Sequence, residues 1–269
     1  MARSIPSIDF RLATSSSEDE RQRFVQEVGD ALKDIGFFAL THHGIPRSLV
    51  DATYEQCDAF FDLDEATKRT YLQPDIGHQR GYTAFGVEHA KDNPAPDLKE
   101  FWQTGRAYPN SGTTPTYPQN IWPTAHVAAF QEVTESLFSG MEELAQHLLA
   151  ACSEYLGKPR DWLPEMSNDG NTIMRMIHYP PLDESMPAGA VRSAAHEDIN
   201  FITLLVTATA DGLEVMDHDG SWIQARANLS AKHLANRSRC RFSGGHRIAV
   251  FRHGRTGTTP PRCLFGIPR

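Results

Sequence analysis

The apolar residues change period once along this chain, and that change limits the folds open to it. Between His126 and Leu156, Val127, Phe130, Val133, Leu137, Met141, Leu144, Leu148 and Cys152 recur at the spacing of a helix with one buried face, and Gly157 with Pro159 stops it. After Asp169-Gly170, Ile173, Arg175, Ile177 and Tyr179 occupy every second position, the period of a strand, which Pro180-Pro181 ends. Upstream, a helix is expected from Glu18 to Ile35, stopped by Gly36. A buried strand Phe37-Phe38-Ala39-Leu40 and a helix through Val50, Tyr54, Cys57, Phe60 and Phe61 follow. The Pro- and Gly-rich stretch from Gln73 to Gln119 carries aromatics throughout, so it reads as loops and short strands rather than a linker. Downstream, Phe201 to Val206 and Gly212 to Asp217 read as strands, and Asp219-Gly220 supplies a hairpin turn into Ser221-Trp222-Ile223-Gln224. Helices first and strands afterwards give an α+β chain with a sheet or barrel as its second half.

Charge divides the chain a second time. The whole carries a net charge of −8, but Arg226 to Arg269 holds nine Arg, one Lys and no acidic residue. That tail is therefore +10, and the preceding 225 residues are −18. No apolar run approaches the ~20 residues of a membrane helix, and the N-terminus lacks the apolar core of a secretory signal. Cys57, Cys152, Cys240 and Cys263 lie far apart with no C-x-x-C pair, which argues against a disulfide framework or thiolate zinc and fits a reducing cytoplasm. The basic tail lacks interleaved aromatics and any known module, so nucleic acid is not an expected partner.

His196 and Asp198 form the sharpest chemical signal. In an extended segment residues two apart share a face, so an imidazole nitrogen and a carboxylate oxygen can meet one cation. With a second His they would make the facial triad that holds non-haem Fe(II) and leaves positions open. His42 and His43 are neighbours that point to different faces and are expected to be structural.

Several segments resemble one family in order. Ile5-Pro6-Ser7-Ile8-Asp9-Phe10, then Gly36 to Leu40 with His43-Gly44-Ile45-Pro46, and Phe60-Phe61-Asp62-Leu63 with Lys68 resemble the N-terminal region of isopenicillin N synthase-like, 2-oxoglutarate/Fe(II)-dependent oxygenases. Asn171, Arg175 and Tyr179-Pro180, then His196-Glu197-Asp198 and Gly220-Ser221-Trp222, resemble the catalytic half of that family. The resemblance implies a distorted double-stranded β-helix, or jelly roll, with N-terminal helices beside it. It implies Fe(II) held by His196 and Asp198, 2-oxoglutarate as co-substrate, and O₂-dependent oxidation of a small molecule with release of succinate and CO₂. Tyr179 would line the oxidant pocket. Arg175 either belongs to that pocket or pairs with one of the many acids of the body. Bacterial relatives resembling ethylene/succinate-forming enzymes use arginine as second substrate, whereas isopenicillin N synthase uses no 2-oxoglutarate; the sequence does not choose between them.

After Ala225 the family pattern is lost. His253 lies 57 residues after His196, and Arg262 lies 9 after His253, spacings close to those of the distal ligand and the 2-oxoglutarate-binding Arg. Leu264 nevertheless stands where the family carries Ser, and Ile248-Ala249-Val250-Phe251 is the one strand-like run. The expected organisation is therefore an N-terminal region 1–120, the first part of the jelly roll 121–225, and an aberrant basic tail 226–269 of out-of-frame character, leaving the roll incomplete. The competing reading is a catalytically inactive member that keeps only part of the fold.

Overall fold

In a computed structural model, residues 4–88, 97–106, 117–168, 170–180, 192–196, 198, 200–206, 213–224, 233–237, 251–253 and 264–266 are described, the last three segments by backbone alone. The first half is helical with short strands. In order it holds β1 (Ser7–Asp9), α1 (Glu18–Asp34), β2 (Phe37–Thr41), α2 (Arg47–Phe61), α3 (Glu65–Arg69), β3 (Gly81–Thr83), β4 (Glu100–Gly105), α4 (Phe130–Tyr155) and α5 (Trp162–Ser167). Strands then dominate: β5 (Ile173–His178), β6 (Ser193–His196), β7 (Ile202–Val206), β8 (Leu213–Met216) and β9 (Trp222–Gln224). Three more follow in the basic tail: β10 (His233–Arg237), β11 (Phe251–His253) and β12 (Leu264–Gly266).

Local chemistry accounts for most of these boundaries. Ser17 caps α1 by accepting from the Glu20 N–H, and Glu18, Asp19 and Glu20 place negative charge against the positive end of its dipole. Gly36, at φ 81°, turns the chain sharply from α1 into β2. The long helix begins at Phe130 rather than His126, because the His126 and Val127 N–H groups close a turn on the Pro123 carbonyl.

The strands form sheets ordered β1-β2-β10-β7, β12-β5-β4-β3 and β6-β11-β8-β9. β12 also runs beside β7, which brings the first two sheets together edge to edge. Alternation along β2 explains its unbroken apolar run. Phe38 and Leu40 pack with α1, α2 and α4 in the larger core, whereas Phe37 and Ala39 join Tyr179, Leu205, Leu213, Val215 and Ile223 in a second, smaller core. The smaller core lies between the two layers of the jelly roll, and the helices cover the outside of one layer.

The tail differs from the sequence expectation in one respect. A single apolar run offered one strand, yet three short strands are paired there: β10 between β2 and β7, β11 between β6 and β8, and β12 on β5. Such pairing uses backbone groups that every residue but Pro carries, so it needs no apolar alternation to announce it.

Candidate active site

The site grows from strand faces that point into the smaller core. Along β5, Met174 and Met176 face the helices, so Arg175 and Ile177 face inward, with Tyr179 just beyond the strand on the same side. On β7, Ile202, Leu204 and Val206 face the helices, which turns Thr203 and Leu205 inward. β6 brings His196 to its C-terminal end, and Asp198 lies immediately past it.

His196 Nε2 stands 3.8 Å from Asp198 Oδ1. Each group is aimed by a further hydrogen bond. His196 Nδ1 contacts the Ala194 carbonyl at 2.8 Å, which makes Nδ1 the protonated nitrogen and leaves the Nε2 lone pair for a cation. The Thr203 hydroxyl donates to Asp198 Oδ2 at 2.6 Å and so directs Oδ1 toward the imidazole. One cation at ligand distances of about 2.1 Å can reach both atoms. A mixed nitrogen and carboxylate oxygen set with open positions suits Fe(II), so these residues fit the metal that the sequence resemblance implies. Among the described residues, no group of three His, Cys, Asp or Glu side chains is placed to hold a metal. The remaining strand near the pair is β11, whose Phe251 stands opposite His196 and whose His253 stands opposite Ser193, with a register irregularity between them.

A set of buried and half-buried charges adjoins the pair. Arg175 Nη1 donates to Glu88 Oε1 at 3.0 Å, its Nε donates to Gln103 Oε1 at 2.9 Å, and its guanidinium lies 4.8 Å from the Phe101 ring centre. The ion pair of the two sequence alternatives is therefore formed, on the inward face of β5. Lys99 joins Glu88 and Asp97, each at 2.9 Å. Burial alone would raise Glu88, but Lys99 and Arg175 outweigh it and hold the carboxyl below its usual range. Tyr179, 3 % exposed, is pushed up to about 12 by burial, with Lys99 opposing and Asp97 and Glu88 adding to the rise. Its hydroxyl accordingly keeps its proton at neutral pH and can donate a hydrogen bond.

A family model described as non-haem dioxygenase in morphine synthesis, N-terminal, matches residues 5–125. A 2-oxoglutarate-dependent dioxygenase of Trichoderma harzianum is 29 % identical over 229 residues, covering 83 % of this chain and 71 % of its own. Another, from Didymella fabae, is 30 % identical over 223 residues, covering 78 % and 67 %. The crystal structure of a 2OG-Fe(II) oxygenase family protein from Caulobacter crescentus superposes with a TM-score of 0.82 at 30 % identity, over 99 % of this chain and 86 % of that one. The chain belongs to the 2-oxoglutarate/Fe(II)-dependent oxygenases. It is an oxidoreductase of the dioxygenase type, with Fe(II) as its metal and 2-oxoglutarate as its co-substrate. Among the described residues of this oxygenase, no helix is long and apolar enough to cross a membrane.

Several site features went unread in the sequence. Thr203 sat inside an apolar run, where a single polar residue on the inward face was the available signal. Glu88, Asp97, Lys99 and Gln103 belong to the turn-rich stretch, and their convergence on Arg175 and β6 depends on pairings across about a hundred positions of chain. His42 and His43 are structural as expected: His42 meets Asp9 at the surface at 3.2 Å, and His43 accepts the Ile45 N–H. Arg262 lies outside the described residues, and of His253 only the backbone is described.

Proposed function

We propose that His196 and Asp198 hold Fe(II), that His253 completes the triad, and that Tyr179, Arg175 and Arg262 receive carboxylates of 2-oxoglutarate or of the substrate. The observation that carries this reading is the convergence of His196 Nε2 and Asp198 Oδ1 to 3.8 Å, each fixed from behind by its own hydrogen bond. The pairing of β11 beside β6 supports His253 as the third ligand. The protonated Tyr179 hydroxyl and the inward-facing guanidinium of Arg175 supply donors suited to a carboxylate.

When bound, Fe(II) with 2-oxoglutarate supplies O₂ activation, and 2-oxoglutarate leaves as succinate and CO₂ as a small molecule is oxidised. The residues of the chain do the rest. Thr203 and the Ala194 carbonyl fix the two ligating side chains, and Phe37, Ala39, Leu205, Leu213 and Val215 give the interior between the sheets an apolar lining. The organisation that goes with this reading is an N-terminal region 1–120, a roll from 121, and the basic tail 226–269. The body charge of −18, with Cys57 and Cys152 outside any disulfide, fits a small-molecule enzyme of a reducing compartment.

The test is anaerobic titration of the full chain with Fe(II) and 2-oxoglutarate. A weak visible charge-transfer band and O₂-dependent succinate are expected, and His196→Ala or Asp198→Ala should lose both together with retained iron. A flat spectrum without succinate favours the second reading, an inactive member, for which the observation is Leu264 in place of the Ser expected after Arg262.

A further inference from the structure

We propose that Asp97 is a positioning residue for the iron ligand His196, acting through the backbone of Ala194, and that Lys99 and Glu88 tie this support to Arg175. The inference rests on the reading of His196 as a ligand. β6 is four residues long and, among the described residues, is the edge of its sheet, paired on one side, to β11. The N–H and C=O of one strand residue lie on the same side of the strand. At Ala194 both are taken by side chains instead of a neighbouring strand. Its N–H donates to Asp97 Oδ1 at 3.0 Å, and its carbonyl meets His196 Nδ1 at 2.8 Å. The residue whose carbonyl sets the imidazole's tautomer and direction is thus itself held, through its own N–H, by a carboxylate 2 % exposed.

Asp97 is fixed in turn. Its Oδ2 accepts from Lys99 Nζ at 2.9 Å, and its own N–H donates to the Glu88 carbonyl at 2.9 Å. Lys99 reaches Glu88 Oε2 at 2.9 Å, and Glu88 Oε1 accepts from Arg175 at 3.0 Å. Two carboxylates and two cations alternate along this line, so the set is neutral, and it runs from the inward face of β5 through the Ala194 backbone to the imidazole. A group placed against Arg175 therefore presses on the same set that orients His196.

The experiment uses the full chain and Mn(II), a redox-silent cation of similar ligand preference, titrated by electron paramagnetic resonance. Asp97→Asn keeps the shape but replaces one acceptor with an NH₂, so it can satisfy the Ala194 N–H or Lys99 but not both. Loss of a group that orients a metal-ligating His typically weakens metal binding about 10- to 100-fold, and that range is expected here in protein whose unfolding curve shows it folded. A merely structural Asp97 would lower the unfolding midpoint and leave Mn(II) affinity at the parental value; that result overturns the proposal. The double variant Asp97→Leu/Lys99→Met restores charge balance but leaves no acceptor for the Ala194 N–H, and the same weakening is expected in it, so parental affinity there overturns the proposal equally. His196→Ala separates the two levels. Parental affinity in that variant removes the ligand reading and this inference together, whereas its loss beside unchanged affinity in Asp97→Asn removes only the inference.

Discussion

Replacing Lys68 with Met should unfold the protein at a markedly lower temperature, because Lys68 is the cation of a buried knot centred on Glu100, with the exposed Glu65 at its rim. Its Nζ lies 2.9 Å from Glu100 Oε2 with side-chain exposures of 9 % and 4 %, and it also donates to the Phe61 carbonyl at 3.3 Å. The same carboxylate accepts from the Tyr82 hydroxyl and contacts His178 Nδ1 at 2.8 Å. At an effective dielectric constant of about 20, unit charges this close attract by roughly 6 kcal/mol, most of it offset by the desolvation of both groups. Removing one partner does not return that desolvation and typically costs about 3–5 kcal/mol. Tyr82 and His178 still hold Glu100, so the lower end, about 3 kcal/mol, is expected. At roughly 2–4 °C per kcal/mol, the midpoint followed by circular dichroism at neutral pH should fall by about 6–12 °C. The double variant Lys68→Met/Glu100→Gln leaves no stranded charge and should lose less than half as much. A single variant that melts with the parent, or a double variant worse than the single, refutes the argument.

Acid should destabilise the fold through carboxyls held low. Burial would raise Glu100, but His178, Tyr82 and Lys68 together bring it below its usual value, and Lys99 and Arg175 do the same for Glu88. A folded-state pKa below the unfolded one adds stability above the unfolded value of about 4.3 and loses it as pH falls through the folded value. The midpoint should hold from neutral pH down to that point and then drop, and Glu100→Gln should flatten the acid limb; an unchanged limb argues against Glu100 as a source. Gly29→Ala would set a Cβ inside the Tyr155 ring where α1 crosses α4, displacing a side chain that donates to Asp30 at 2.8 Å. Such overpacking costs about 1–3 kcal/mol, and urea unfolding with no loss of midpoint would show that Tyr155 moves aside freely.

The sequence by itself determined the elements whose periodicity is local. α1, β2, α2, the body of α4, β5 and the β8–β9 hairpin all lie where apolar spacing, Gly36 and Asp219-Gly220 put them, because helix and strand periods are set by neighbours a few residues apart. It also brought forward His196 and Asp198, since two candidate ligands separated by one residue need no long-range contact to be recognised. Tertiary structure alone decided what those two side chains lean on. Thr203 turns inward only once β7 is sandwiched between the helices and the second sheet, and Asp97 reaches Ala194 only when β6 stands at a sheet edge. Arg175 had two readings in the sequence, and its partners Glu88 and Gln103 are brought to it only by the strand pairings and loops before β5. The tail marks the boundary most clearly. Its side chains lack the alternation from which strands are recognised, yet β10 and β11 each lie between strands of the body, because sheet hydrogen bonds join backbones whatever the side chains.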